Sequence, residues 1–228
     1  MGTNRYGATE AYLFDYGGTL DTGGQHWGRA IWQAYREAGV PVAEDDYRQA
    51  YVAVERTLGR EPVIGRQFTF RETLSTKLRM QLDRLGCSAY HDRLLQHLYE
   101  RTLHETAASR DVLCRLKATS PLALVSNFYG NLPVVLQEFR LDSLFSCVVE
   151  SAAVGVRKPD AHIFLLAIEA LGLQPGDVTV VGDSYTNDIV PAHQLGCKTV
   201  WLRGEQWSAE DIAYPVADHV IFKLVELL

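Results

Sequence analysis

Lysine is scarce in this sequence. Five occur in 228 residues, at Lys77, Lys117, Lys158, Lys198 and Lys223, and arginine supplies the rest of the 22 basic side chains. Acidic residues number 28 and leave a net charge of −6. The basic footprint needed for nucleic acid or an anionic membrane surface is therefore missing. Cysteine is thin as well. Cys87, Cys114, Cys147 and Cys197 lie far apart with no CxxC pair. That excludes a disulfide scaffold or zinc site and leaves reduced core thiols. No apolar run is long enough to span a bilayer. The opening MGTNRYGATE lacks the charged-then-apolar pattern of a signal peptide, and Tyr6 stands where a myristoylation motif needs Ser or Thr. Repeats and low-complexity segments are also absent. The expectation is a cytoplasmic protein with a short polar lead, monomeric or weakly dimeric.

What is present falls into two textures. From about residue 26 to 105 the apolar residues recur at helical spacing. Trp27, Ala30, Ile31, Ala34, Tyr35 and Ala38 share one helix face, and Gly39 with Pro41 ends it. Tyr47, Tyr51, Val54 and Leu58 form a second stripe stopped by Gly59. Leu74, Leu78, Leu82 and Leu85 form a third stopped by Gly86, and Leu94, Leu95, Leu98 and Thr102 a fourth. Four successive helices predict a small helical bundle. The flanks read differently. Short apolar runs at 11–14, 122–125, 147–149, 178–182 and 199–202 are rich in β-branched residues, with helical patterns at 160–172 and 186–196. Strands alternating with helices predict an α/β fold: a doubly wound, Rossmann-like parallel sheet covered on both faces. The bundle is then an insertion after the first strand. Residues 1–21 and 106–228 form the expected core, and 22–105 the expected second domain.

In such a sheet, ligands bind beyond the carboxyl ends of the strands. Asp15 follows the first run, Ser126 and Asn127 the second, and Asp183 the fourth. Asp15 in FDYGGTLDT reads as a nucleophile, a metal ligand or a turn residue. Asp183 and Asp188 in VVGDSYTNDI repel one another unless a cation or proton lies between them. With Asp15 they point to a hard divalent ion, Mg²⁺, though Asp188 alone could cap the following helix. Lys158 in GVRKPDAHIF precedes Pro159, which suits a first helical turn and puts Lys158 at a helix entrance, against the dipole. An unfavourable lysine in a lysine-poor chain suggests neutralisation of a bound anion. Ser126 reads as a turn residue or, with the amides after it, a phosphate cradle. Carboxylate attack on phosphorus would give an aspartyl-phosphate, with metal, lysine and amides stabilising the charge in transit.

The ordered set FDYGGTL (14–20), VSN (125–127), Lys158 in GVRKPD and VVGDSYTND (180–188) resembles the four motifs of the haloacid dehalogenase-like (HAD) hydrolases. The likeness covers nearly the whole chain, and the helical insertion falls where that family carries a cap domain. The resemblance implies Asp15 as nucleophile. It implies Ser126, Asn127, Lys158 and the Gly18 backbone as phosphate-binding groups. It also implies Mg²⁺ held by Asp15, the Gly17 carbonyl and Asp183, with Asp188 supporting the metal or Lys158. The expected reaction is hydrolysis of a small phosphorylated metabolite, with neither nucleic acid nor membrane as partner.

One position departs. Phosphatases of the family carry a second Asp two residues after the nucleophile, which protonates the leaving group and activates water. Here that residue is Gly17. Asp21 and His26 are the candidate substitutes. The alternatives are a haloacid dehalogenase, which also lacks that acid, and a catalytically impaired phosphate-binding member. A Schiff-base phosphonate cleavage needs an early lysine, and none precedes Lys77. Trp27, Arg29, Arg60, Arg66 and Arg71 are candidates to meet substrate, with Trp27 read foremost as core.

Overall fold

A computed structural model of the chain describes residues 10–207 and 215–228, and the polar lead at 1–9 lies outside them. Six parallel strands form one sheet in the order β3-β2-β1-β4-β5-β6. They are β1 Ala11–Phe14, β2 Leu122–Ser126, β3 Cys147–Glu150, β4 Val178–Gly182, β5 Lys198–Leu202 and β6 His219–Ile221. The first five fall on the predicted runs. β6 was not predicted: His219 and Val220 carry no continuous apolar signal, because an edge strand is covered on one side only.

The pleat sends alternate residues of β1 to opposite faces. Tyr12 and Phe14 join a core that runs from the sheet into the helical insertion, through Ile31, Tyr35, Leu74 and Leu98. Ala11 and Leu13 join the opposite core, against Ile163, Phe164, Ala167 and Ile168 of helix α7. Both faces of the sheet are thus covered, as its continuous apolar strands require.

Between β1 and β2 run α1 Trp27–Glu37, α2 Glu44–Leu58, α3 Phe70–Arg84 and α4 His91–Lys117. The predicted stripes face the core in each, with Trp27, Ala38 and Leu85 half-buried at their ends. α3 starts on a capping box: Thr69 accepts from the Glu72 amide while the Glu72 carboxylate accepts from the Thr69 amide. α4 is one unbroken helix of 27 residues, longer than its stripe suggested, and passes through residue 105. Its second half buries Val112, Leu113 and Leu116 against the sheet-side core.

Beyond β2 lie α5 Leu132–Glu138, α6 Ser151–Val154, α7 His162–Leu171 and α8 Val190–Gln194. Two expectations need correction. α7 begins at His162, so Lys158 lies in the turn before it and not at its entrance. Asp160 Oδ1 accepts the His162 amide, and the Asp160 amide closes a turn on Arg157 O. The helix read at 186–196 is a wide π turn, Tyr185–Ile189, followed by the short α8. Pro191 has no amide to donate, so the chain cannot wind there as a continuous α-helix.

Candidate active site at the carboxyl edge of the sheet

Strand order reverses at β1, which pairs with β2 on one side and β4 on the other. A crevice opens at such a switch point. Asp15 leaves β1 there, its amide bonded to Val181 O of β4 at 3.0 Å. Asp183 leaves β4 beside it.

The loops bring these acids together through close backbone approaches. A side chain on Gly18 would place its Cβ 2.5 Å from the Asp183 carboxylate, and Gly18 has φ +100°. A Cβ on Gly182 would lie 2.4 Å from Asp188 Oδ2. Both positions need glycine for space, and Gly18 also for its backbone. Here these glycines make room for the acids.

Asp15, Asp183 and Asp188 are all buried and offer oxygens within 4.8 Å of one another. Lys158 Nζ reaches Asp15 Oδ1 at 2.5 Å and Asp188 Oδ1 at 2.7 Å. Thr19, which sequence reading missed, ties the other edge. Its hydroxyl lies 3.3 Å from Asp15 Oδ2 and 3.0 Å from Asp183 Oδ1, and accepts the Asp183 amide at 3.0 Å. A short polar residue four positions after a strand-end Asp was the available signal.

Three carboxylates face one ammonium, so the cluster is short of positive charge. Burial works against the Lys158 ammonium, but Asp15 and Asp188 overcome it and hold its pKa above the ordinary lysine value. Burial, then repulsion from Asp15 and Asp188, pushes Asp183 well up. Burial pushes Asp188 up to about 6, with Lys158 opposing. The donor set is oxygen only and carries excess negative charge, which fits a hard divalent cation such as Mg²⁺. Asp188 Oδ2 also accepts the Ser184 amide at 3.0 Å. Both its oxygens are therefore held by protein donors, and it bears first on Lys158.

Asn127 acts on the lysine rather than into the crevice. Its Nδ2 donates to Lys158 O at 3.1 Å and its Oδ1 accepts the Lys158 amide at 2.9 Å. That clamp fixes the lysine's backbone from both sides. Ser126, 1% exposed, ends β2 opposite Glu150.

Gly17 is the one exposed residue between Ala11 and Thr22. A Cβ there would meet nothing nearer than Trp27 Cδ1 at 4.0 Å. The position is open, and its side is roofed by the indole. Asp21, the first substitute for the missing acid, is fully engaged. Its Oδ1 accepts the Gly18 amide at 2.7 Å and its Oδ2 the Trp27 indole N–H at 2.9 Å. Burial raises its pKa to about 7 against those bonds. His26, the second, caps α1: Nδ1 accepts the Gly28 amide at 3.0 Å. Burial lowers its pKa to about 4, so it is neutral at pH 7. Arg29 is paired with Glu44 at 3.0 Å, and Arg71 lies over the Tyr99 ring. Arg60 and Arg66 are exposed, Arg66 passing close to Gly130.

Sheet order, switch-point crevice and a lysine-bound carboxylate at a strand tip define a Rossmann-like α/β enzyme core. The chain belongs to the haloacid dehalogenase-like hydrolases, whose family model matches residues 9–196. It is 33% identical over 148 residues to a glyceraldehyde 3-phosphate phosphatase of Pyrococcus furiosus, covering 63% of this chain and 59% of that one. The chain thus spans little more than half of that relative's length. A phosphoglycolate phosphatase of Vibrio vulnificus is 30% identical over 220 residues, 94% of this chain and 92% of the relative. Among solved structures, a magnesium-bound HAD hydrolase of Bacillus subtilis superposes with TM-score 0.58 at 18% identity, over 96% of each chain, which supports the fold. No described helix is long and apolar enough to cross a membrane.

Proposed function

We propose that the chain is a Mg²⁺-dependent phosphatase of a small phosphorylated metabolite, working through an aspartyl-phosphate on Asp15. The observation that carries this reading is the buried set of Asp15, Lys158, Asp183 and Asp188 at the switch point, reached past exposed Gly17. Two relatives with phosphatase names support it.

In this reading an Asp15 carboxylate oxygen attacks phosphorus and the bond to the leaving oxygen breaks. Water then attacks the aspartyl-phosphate, releasing orthophosphate and free Asp15. Lys158 neutralises charge on the transferring group, aided by the Ser126 hydroxyl; the Gly18 amide, expected to join them, is instead taken by Asp21 Oδ1. Asn127 and Asp188 hold Lys158 in place. Asp15, the Gly17 carbonyl and Asp183 would hold Mg²⁺, with Asp188 beside them. The ion would supply positive charge against the developing negative charge on the phosphoryl oxygens. The helices inserted at 22–105 serve as a cap over the crevice, in a cytoplasmic protein.

Proton transfer is the weak point of this machinery. Gly17 carries no side chain, and Asp21 and His26 are committed to the loop and to α1. Loss of a general acid or base costs about 10²–10⁴-fold in rate. Substrates whose leaving groups depart as stable anions, such as acyl or aryl phosphates, suffer least. The same observation supports a second reading, in which the chain binds phosphate or a phospho-ligand and turns it over negligibly. A haloacid dehalogenase is the third reading, disfavoured because a metal-free reaction leaves the buried Asp183 with no cation to balance it.

The test is phosphate release from aryl, acyl and alkyl phosphates with and without Mg²⁺, beside Asp15→Asn. Metal-dependent release lost in the mutant is expected. Release unaffected by the mutation would overturn the phosphatase reading, and halide release from 2-haloacids without metal would favour the third.

A further inference from the structure

A second charged cluster, buried at Lys77 and half-buried at its two partners, lies at the seam between the inserted helices and the loop that leaves β2. Glu55 comes from α2, Lys77 from α3 and Tyr129 from the loop. Lys77 Nζ lies 2.8 Å from Glu55 Oε1 and 3.1 Å from the Tyr129 hydroxyl, which in turn donates to Glu55 Oε2 at 2.8 Å. Three elements thus close a triangle. Lys77 sits inside the apolar stripe of α3, where a leucine would pack at no electrostatic cost. Buried ion pairs are poor contributors to stability compared with apolar residues of similar volume. Their advantage is directional: a charge pair fixes where a hydroxyl points.

What the triangle fixes is the loop of the phosphate side. Tyr129 stands two residues after Asn127, whose amide clamps the Lys158 backbone. Lys158 then reaches Asp15 and Asp188. The same loop is pinned to the core on its other side, by the Phe128 amide on Ser151 Oγ and the Gly130 amide on Glu150. A second tie joins it to the helices, with Asn131 Nδ2 donating to Phe68 O and Thr73 Oγ1 at 2.8 Å each. A continuous chain of contacts and backbone therefore runs from α2 and α3 to the Asp15 carboxylate.

We propose that Glu55, Lys77 and Tyr129 are positioning residues: their triangle sets the 126–131 loop, and through Asn127 the lysine, only when the inserted helices sit against the core. The inference rests on the phosphatase reading for its kinetic form. It makes the assembly of Ser126, Asn127 and Lys158 conditional on closure, so the groups that stabilise the transferring phosphoryl are in place when water is excluded.

The test is Tyr129→Phe, which removes one hydroxyl and keeps the ring. Aryl phosphate turnover with Mg²⁺ is measured beside orthophosphate affinity and thermal midpoint. Expected is a loss of about ten- to a hundredfold in kcat, the scale of a sub-ångström to 1 Å misplacement, with KM changed less than twofold. Glu55→Gln should cost as much, and the two together no more than either. Asn127→Ala combined with Tyr129→Phe should likewise be non-additive. A thermal midpoint that falls while kcat per folded molecule holds would overturn the proposal, since that is the signature of packing alone. If the wild type releases no phosphate from any ester, the phosphatase reading fails and orthophosphate affinity decides: weaker binding in Tyr129→Phe upholds the positioning role, and equal or absent binding overturns it.

Discussion

Two buried clusters of charge lie at opposite ends of one loop, and they are balanced differently. At the sheet edge three carboxylates share one ammonium. At the seam one carboxylate meets one ammonium and a phenol. The seam cluster is complete as it stands. The edge cluster is not: burial first, and repulsion among its carboxylates after it, raise the pKa values of Asp183 and Asp188. A balanced pair holds geometry; an unbalanced one awaits a cation and an anion bound to it.

The sharpest way to separate the two clusters is to remove the carboxylate expected to react. Asp15→Asn keeps size and most hydrogen bonding, so the fold should survive. Mg²⁺-dependent turnover should fall by about a thousandfold or more, as for loss of a catalytic nucleophile. Steady-state assay with an aryl phosphate and a thermal melt check both halves. A mutant within tenfold of wild type would remove Asp15 from the reaction.

The next effect is a gain. A Cβ at Gly17 meets only Trp27 Cδ1, at 4.0 Å, so Gly17→Asp should fit without displacing Asp183 or Lys158. Turnover of alkyl phosphates should rise by about a hundredfold, the low end of general acid–base catalysis, with far less gain on aryl phosphates. Plotting log kcat/KM against leaving-group pKa for both proteins gives the answer. A steep line for the wild type that flattens in the mutant is expected; parallel lines would mean that another group supplies the proton.

At the seam, Lys77→Met leaves Glu55 unpaired. Glu55 keeps 28% of its side chain in water, so the loss should be about 2 kcal/mol, below the range for a fully buried pair. Glu55→Met with Lys77→Met together should recover most of it, measured by urea denaturation. The recovery would show the pair to be dispensable for stability while the positioning loss in kcat persists.

These contrasts mark what the sequence could and could not disclose. The meeting of Asp15, Ser126 and Asp183 was legible because each lies at a strand end, and a parallel sheet sends all such ends to one edge; Lys158, in a turn, stood out only as a rare lysine before a helix. Five strands were legible because each is a continuous apolar run. β6 was hidden by its half-covered position at the edge. The length of α4 was hidden because its stripe passes from one packing partner to another. Asn127 was read as a phosphate ligand, whereas its side chain holds Lys158, a role that depends on a residue 31 positions away. Lys77 left a faint signal, a cation at a core position in α3, but nothing in spacing could name Glu55 and Tyr129 as its partners. Thr19 likewise left only its place four positions after Asp15, since its two acids come from separate strands.

The last contrast is one of pH. Burial raises Asp21 to about 7 and Asp188 to about 6, both from the ordinary aspartate value of 3.8. A carboxyl whose folded pKa is raised binds its proton more tightly folded than unfolded, so between the unfolded and folded values stability falls as pH rises. Without metal, the chain should therefore gain stability between pH 7 and pH 5, by about 1 kcal/mol per pH unit for each such group in its window. Burial and repulsion raise Asp183 as well, and Mg²⁺ at the edge favours the ionised carboxylates, so saturating Mg²⁺ should flatten or reverse the part of the trend due to Asp183 and Asp188 and leave that due to Asp21. The seam contributes nothing here, because Lys77 is held above its ordinary value by Glu55 and Tyr129 and stays charged throughout. Urea midpoints at pH 5, 6 and 7, in chelator and in Mg²⁺, carry the test. Asp183→Asn combined with Asp188→Asn should remove the metal-sensitive part and leave that due to Asp21. A trend identical with and without Mg²⁺ would mean that the edge carboxylates do not take the cation, and that their surplus charge is relieved by protons instead.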